Sequence, residues 1–599
     1  MIEGAGFILL QQAGWLTPLT GMVDVSTDIT WFAALFNMLL FGAAGAVLAA
    51  ISRVFPKLPL TAISAALLFL LATLSWLSLS LYGRAKWYAV LALGLGATVQ
   101  FYRWFRKHEQ ASIRLCRKSL LWLLVLVLAI FIVVEAGSRL KERTAASALA
   151  PAPAESPNVV LIVIDTLRSD HLTIHGYGRP TSPNLDRIAR QGVIFENAYA
   201  ASSWTLPSHV SLFTGRYANE HKAEWNNSTA LVDAGYPTLA EALQSRGYRT
   251  GGFSGNLYWV TRRFGFARGF IHFEDYSHSI GDRAVRTIYG RAIETLLLQR
   301  IGFEDIPARR RASDINASVL RWIDEDRKTP FFVFINYMDV HDPYLPPQPF
   351  RSKFSDVENP GGLLNWRLGR NDLGPAPEKL EDEISAYDGA IAYVDEQIGR
   401  LIAEFEKRGL GENTLFVITS DHGEMLGEHG LFLHGNSLHR KSIQVPLFIS
   451  LRGRVPSDLS VRQPVSNAGV ASTIMELVGA GDQGLFPSPS LARLWEQPGS
   501  KPDWPAPVSY LAQQDWVEPN LPVHHGWSRS VVDAEWHYIE NEKLGVELYR
   551  VEDDSAEVNN LADRPEFQSV ITGFRERFLE SSLFSHDSSF LSRPFRARK

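Results

Sequence analysis

The strongest constraint on this chain is a block of long apolar runs confined to its N-terminal part. They are Ile29–Ile51, Leu58–Tyr82, Trp87–Phe101 and Ser119–Gly137. A helix needs about 20 mostly apolar residues to cross a bilayer. Trp87–Phe101 is the shortest run and carries Gln100; the others reach that length. None has the polar stripe of a helix resting on a soluble core. Several spans in succession also differ from a cleavable leader. The sequence thus predicts an all-α transmembrane anchor of about four helices over residues 1–138. Residues 1–28 stay ambiguous, and Phe7–Trp15 could lie in the interface.

Orientation follows from the basic loops. Arg103, Arg106, Lys107, Arg114, Arg117 and Lys118 form the densest cluster near these runs. Placing them in the cytoplasm, with Arg53 and Lys57, sends the chain outward after Gly137. Arg84, Lys86, Arg139, Lys141 and Arg143 run against this assignment at lower density. The expectation is an integral protein of the plasma or inner membrane with an extracytoplasmic catalytic domain. An Ala/Pro-rich linker over 139–157 precedes the soluble part.

The remainder is long enough for more than one unit within the 599 residues. A net charge of -5 gives no sign of a nucleic-acid partner. The single cysteine, Cys116, excludes an intramolecular disulfide and a cysteine-based zinc site. All histidines but His108 lie after residue 150.

Three short apolar runs end in polar groups. Val159–Ile164 leads into Asp165, Phe331–Ile335 leads towards His341, and Thr414–Thr419 leads into Asp421 and His422. Continuous apolar runs suit strands covered on both faces. Helical patterns such as Leu239–Arg246 and Ala386–Lys407 lie between them. Strands alternating with helices imply a mainly parallel sheet sandwiched by helices. Ligands in such folds sit outside the carboxyl ends of the strands. One Asp at a strand end is most simply a cap. Three endings that pair Asp with His point instead to a metal or proton-handling site.

A further segment runs Thr205-Leu206-Pro207-Ser208-His209 and closes at Gly215. Pro207 suits the first helical turn, which places Thr205 just before it. A hydroxyl there lies where the helix dipole and free N–H groups favour an anion. It needs a metal or base to activate it.

With Val163–Asp170, Thr205–His209, Val340–Tyr344 and Thr419–Glu424 in this order, the chain resembles the sulfatase family of the alkaline phosphatase superfamily. The likeness runs from Asn158 to the C-terminus. It includes Trp536–Ile539, Glu547–Tyr549 and Glu557–Ala562 near the end. The resemblance implies an alkaline-phosphatase-like α/β core over 158–485 and a small α+β subdomain over 486–599. It implies one divalent ion held by Asp165, Asp421 and His422, with Thr205 at the metal. His341 would contact the anionic ester. His209 stands where sulfate-cleaving members have Arg, and His434 lies near a Lys that holds the leaving-group side.

Two departures stand out. Sulfatases carry Cys or Ser, oxidised to formylglycine, where this chain has Thr205. Thr occupies that place in lipoteichoic acid synthases and phosphoethanolamine transferases, which also carry membrane spans. Thr166 stands where many sulfatases have another Asp. The remaining donors suit manganese or zinc better than calcium.

The sequence therefore reads as a membrane-anchored enzyme that cleaves or transfers a phosphate-type ester through Thr205. Thr205, His209, His341 and His434 are the candidate catalytic residues. A lipid headgroup or envelope glycan is the expected substrate, and membrane lipid the expected partner. A sulfate-ester hydrolase without formylglycine and a non-catalytic membrane scaffold are the competing readings. Ser277–Arg311 and Phe350–Glu378 read as pocket-wall loops, with Arg309–Arg311 a solvated basic face. His171, His175, His272, His278 and His537 read as structural, while His221 and His429 stay open.

Overall fold

The structure, a computed structural model, describes residues 28–55, 59–80, 85–232, 234–276, 280–294, 297, 309–358, 360–361, 377–481, 484–496 and 504–580. The chain separates into two compact units. One holds residues 1–145 with 276–308, and the other 146–275 with 309–599.

The first unit contains helices α1 (Ile29–Val54), α2 (Leu60–Ser80), α3 (Trp87–Lys107) and α4 (Glu109–Ser147). Among the described residues, Ile29–Val54, Leu60–Leu77 and Glu109–Ser147 are long and apolar enough to cross a membrane. The last turn of α3 carries Arg106 and Lys107. The sequence places an irregular linker from residue 139, but α4 continues to Ser147. Ala145 and Ala146 favour helix, and the first proline comes only at Pro151. Beyond Tyr276 lie short helices Ile280–Val285 and Ile288–Ile293. Arg283 Nε meets Asp28 Oδ2 at 2.7 Å, and Ser75 donates to the Tyr289 hydroxyl at 2.7 Å. Much of the expected wall loop Ser277–Arg311 thus belongs with the helical unit, and Arg309–Arg311 with the other. Residues 362–376 of the other expected loop, and His278, lie outside the described residues.

The second unit is built on β1 (Asn158–Ile164), β2 (Val193–Tyr199), α5 (Thr205–Thr214), β3 (Arg249–Ser254), β4 (His272–Glu274), α6 (Ala312–Glu325), β5 (Phe331–Tyr337), α7 (Pro377–Lys407), β6 (Thr414–Thr419), β7 (Gln444–Ser450) and β8 (Leu459–Val461). The sheet order is β8-β2-β7-β6-β1-β5-β3-β4. β7 is antiparallel to β2 and β6, and the other pairs on this path are parallel.

β1 shows why a continuous apolar run was needed. Val159, Leu161 and Val163 face a core that includes Leu206, Val210 and Phe213 of α5. Val160, Ile162 and Ile164 face one that includes Val319 of α6 and Ile391 of α7. Side chains alternate along a strand, so both faces are covered only if every position is apolar. Register then brings the strand ends together. Val163 lies opposite Asn336 on one side and Thr419 on the other. The Asp165 amide donates to Tyr337 O at 2.8 Å, and Ser420 Oγ donates to Ile164 O at 2.6 Å.

Near the C-terminus, β9 (Val508–Leu511), β10 (Ser528–Val532), β11 (Trp536–Asn541) and β12 (Gly545–Arg550) form an antiparallel sheet in that order. It is tied to the loop after β6. Glu547 Oε2 accepts from His439 Nε2 at 3.0 Å and from the Tyr549 hydroxyl at 2.5 Å. Burial would raise the Glu547 carboxyl, but His439, Tyr549 and His429 lower it from 4.5 to about 2.

Two measurements test these packing arguments. Leu161→Ala opens a cavity in the central strand and should destabilise the chain by about 2–5 kcal/mol, read as an earlier unfolding transition. A depressed Glu547 carboxyl contributes stability that is complete above pH 4.5 and lost as pH falls towards about 2. Glu547→Gln should lower stability at neutral pH and flatten this acid loss in pH-dependent melts. An unchanged acid profile would contradict the tie.

Candidate active site

Aligned strand ends place Asp165 after β1 and Asp421-His422 after β6, all fully buried. Their donor atoms lie within 4.8 Å of one another. His422 Nε2 is 3.3 Å from Asp421 Oδ2 and 3.9 Å from Asp165 Oδ1. The Thr205 hydroxyl is 3.4 Å from the same nitrogen. Thr205 is the first residue of α5, rather than just before it, with Trp204 as the N-cap. Gly215 ends the helix in the left-handed region at φ 63°.

Each group is oriented by neighbours. The Thr166 amide and the His422 amide donate to Asp421 Oδ1 at 3.3 and 2.9 Å. Thr166 has φ 59°, a strained conformation for a β-branched residue. That turn aims its amide at Asp421. His422 Nδ1 donates to Gly423 O at 2.9 Å, which leaves a lone pair on Nε2. Burial would raise the Asp421 carboxyl, yet His422, His209 and the Thr166 amide hold it well below the usual range. Burial pushes His422 down despite the carboxylates.

Asn256, just beyond β3, escaped the sequence reading. Its Nδ2 donates to Asp165 Oδ2 at 2.8 Å. Its Oδ1 accepts from the amides of Tyr258 and Trp259 at 3.1 and 3.0 Å. The amide is therefore locked with its donor on Asp165. Its only local signal is Gly255-Asn256 after a strand rich in glycine.

His209 is fully buried behind Asp421. Its Nδ1 donates to Thr205 O at 2.9 Å and lies 3.3 Å from Asp421 Oδ2. Its ring meets Phe266 and Phe334 edge-on. Burial would lower this imidazole, but Asp421 raises it. His434 lies on the turn after Leu433. The ring centroids of His422 and His434 are 4.6 Å apart, and those of His341 and His434 are 4.8 Å apart. Gly435 makes this approach possible. It has φ 70°, and a Cβ there would lie 3.3 Å from Trp204 Cβ. The Gly435 amide donates to Ser203 O at 2.9 Å, tying the His434 turn to the segment before Thr205.

His341 Nδ1 donates to Asp342 O at 2.8 Å. Burial opposes its charge, but Asp342 with Asp165 and Glu424 lifts His341 to about 10. Burial and the neighbouring His341 lower His434 to about 4. Glu424, buried near Asp342, rises to about 8.

The basic triplet is not a solvated face. Arg309 and Arg310 are buried. Arg309 Nη2 donates to His341 O and Asp342 O at 2.9 and 3.0 Å. Arg310 pairs with Glu274 at 2.6 Å and Arg311 with Asp339 at 3.4 Å. Of the remaining histidines, His171 pairs with Asp388, His272 with Glu274 and His537 with Glu557. His175 stacks on Phe448. His221 meets Ser211 Oγ at 3.0 Å, and His429 stacks on His439 at 3.8 Å.

The donor set fits a divalent metal ion. Asp165 Oδ1 and Asp421 Oδ2 are buried without a hydrogen-bond partner. Two such oxygens so close together are unfavourable unless a cation joins them. Asp165, Asp421 and His422 would hold the ion, with the Thr205 hydroxyl beside them.

This fold and site define an α/β enzyme of the alkaline-phosphatase type. The description "Sulfatase" matches residues 157–480, and "N-sulphoglucosamine sulphohydrolase, C-terminal" matches 427–583. The chain belongs to the sulfatase family, whose members use a divalent metal ion. It is 27% identical to an arylsulfatase of Clostridium perfringens over 337 residues, covering 49% of this chain and 68% of that one. It is 24% identical to a choline-sulfatase of Rhizobium meliloti over 472 residues, covering 70% and 86%. The phosphonate monoester hydrolase of Agrobacterium radiobacter shares its fold, with a TM-score of 0.53 and 21% identity over 71% of this chain and 95% of that one.

Asn256→Ala removes the donor that orients Asp165 without touching the sheet core. Affinity for Mn²⁺, titrated calorimetrically into the metal-stripped chain, should fall about 10–100-fold. Unchanged affinity would show that Asn256 merely shapes its loop.

Proposed function

We propose that the chain is a membrane-anchored, metal-dependent enzyme that cleaves or transfers a phosphate-type ester through Thr205. One observation carries the reading: a Thr hydroxyl, 3.4 Å from His422 Nε2, stands at the first position of α5. The aldehyde of sulfate-cleaving relatives needs Cys or Ser there, and the only cysteine, Cys116, lies in α4. Manganese or zinc suits the Asp165, Asp421 and His422 donors. When bound, the ion supplies Lewis acidity that favours the alkoxide and screens an anionic ester.

Thr205 Oγ1 attacks phosphorus as the bond to the leaving oxygen breaks. The free N–H groups at the start of α5 meet the non-bridging oxygens. His341 and His434 stand where the ester's remaining oxygens or its leaving group would be met. His209 sits behind Asp421 and holds that carboxylate. The phospho-Thr205 then passes its group to water or to an acceptor hydroxyl.

Three apolar helices support anchoring in a plasma or inner membrane. The basic cluster around Arg106 and Arg117 supports a cytoplasmic loop and an extracytoplasmic catalytic unit. An enzyme held there would reach lipid headgroups or envelope glycans. Sulfate-ester hydrolysis is the second reading, favoured by the names of the arylsulfatase and choline-sulfatase relatives.

The test assays nitrophenyl phosphate, a nitrophenyl phosphate diester and nitrophenyl sulfate with Mn²⁺ or Zn²⁺. A phosphate ester should be the best substrate, and Thr205→Ala should lower kcat on the order of a thousandfold or more. The variant should retain metal, and intact mass should show a phospho-adduct in the wild type alone. Turnover of Thr205→Ala at the wild-type rate would remove Thr205 as nucleophile, and a preference for the sulfate would favour the second reading.

A further inference from the structure

The junction of α3 and α4 carries a block of positive charge that the proposed chemistry does not use. Arg103, Arg106 and Lys107 lie at the end of α3, and Arg114, Arg117 and Lys118 in the first turns of α4. All six residues are exposed. Both groups have the same i, i+3, i+4 spacing, which sets three cations on one face of a helix. Only His108 separates the two helices, and its amide donates to Trp104 O and Phe105 O at 3.2 and 3.0 Å. Glu109 is the one acidic residue from Phe101 to Ser119.

The helices themselves gain little from these cations. Among the described residues none of the six pairs with an acid, and Arg114 Nε donates within its own helix, to Gln110 O at 3.3 Å. Like charges at i, i+4, as in Arg103 with Lys107 and Arg114 with Lys118, destabilise a helix. An anion from outside would offset that repulsion, and position narrows its identity. Lys118 is followed at once by Ser119–Val134, a stretch without charge. That stretch lies in a helix long and apolar enough to cross a membrane. Arg103 comes just after the apolar run of α3, and the neighbouring Trp104 is exposed. Trp at the edge of an apolar run suits the headgroup layer, and Arg and Lys reach that layer along their apolar stems.

We propose that the two triads form a docking surface for anionic phospholipid, whose phosphates they hold. The inference rests on the membrane-anchoring reading given above and deepens it by naming the partner. Charge complementarity selects the lipid. A zwitterionic headgroup brings its own cation to the surface, whereas an anionic one offers uncompensated phosphate. The arginines grip two phosphate oxygens at once, and the lysines add point charge. The adjoining apolar span holds the surface at the level of the headgroups, where phosphate is concentrated. None of the six residues has a role in the chemistry proposed for the strand-end centre.

The experiment uses the full-length protein reconstituted into phosphatidylcholine vesicles that carry a trace of spin-labelled lipid. Flotation reports insertion, circular dichroism reports folding, and electron spin resonance reads the share of label immobilised by the protein. Spin-labelled phosphatidylglycerol should be immobilised several-fold more than spin-labelled phosphatidylcholine. Replacing one triad by glutamine (Arg103→Gln, Arg106→Gln and Lys107→Gln, or Arg114→Gln, Arg117→Gln and Lys118→Gln) should lower that preference about twofold. Each such variant keeps three cations beside the membrane, so insertion is preserved. High salt should lower the preference likewise. Changing the four arginines to lysine keeps the charge and should keep the preference. Equal immobilisation of the two lipids by the wild type would overturn the proposal, as would a preference that both glutamine variants retain in full. Equal immobilisation with soluble polyphosphate held by the wild type but not by the variants would give the surface to a soluble polyanion instead. Protein that fails to float would strike the membrane-anchoring reading and this partner with it, whereas floating protein without the preference would strike this inference alone.

Discussion

Asp165 and Asp421 bring buried oxygens into the same small space, and no hydrogen-bond donor satisfies the facing pair. A fold tolerates such an arrangement only if something positive joins the two oxygens. The surroundings place the carboxylates rather than neutralise them. Asn256 fixes the rotation of Asp165, while two backbone amides fix Asp421. The sheet supplies the rest, because Ile164 and Thr419 end adjacent parallel strands whose register is set by apolar side chains on both faces.

An ionic framework centred on the buried Arg168 holds the loop after β6 against this edge. Arg168 Nη1 donates to Glu424 O at 3.1 Å, and its guanidinium pairs with Asp170 and Glu428. Lys441 joins Asp170 at 2.7 Å. Burial would raise Asp170, but Arg168 and Lys441 hold its carboxyl well below the ordinary range. Removing Asp170 or Glu428 would leave the buried Arg168 guanidinium short of a partner, the expensive way to disrupt such a pair. The framework therefore fixes the backbone that carries Glu424, and Glu424 in turn orients His434.

The sequence exposed these features unevenly, for physical reasons. β1, β5 and β6 are doubly covered strands, so their continuous apolar runs could be read directly. β3 lies in the same sheet but was not legible. Gly251 and Gly252 replace apolar side chains because a Cβ would approach Trp322 to 3.0 Å and Phe273 to 2.4 Å. Asn256 was missed with it. Arg309–Arg311 looked like a solvated face because Glu274 and Asp339 become partners only after folding. The reach of His434 towards His422 depends on a left-handed turn at Gly435, and sequence spacing cannot report that approach.

Charge gives these departures from the family pattern a common sense. The motif resemblance implies that Thr166 stands where many sulfatases have a carboxylate, His209 where sulfate-cleaving members have Arg, and His434 near their Lys. On that correspondence the centre has one fixed negative charge and two fixed positive charges fewer. His209 is turned towards Asp421 and packed against Phe266 and Phe334, so it serves the carboxylate first. His434 is driven towards the neutral form by burial and by His341. A centre with fewer permanent cations still has to meet an ester whose charge grows on the leaving oxygen. His341 supplies such charge as a proton, which Asp342, Asp165 and Glu424 favour against burial. The buried Asp342 carboxylate, whose oxygens have no hydrogen-bond partner, is the nearest of these charges to that proton.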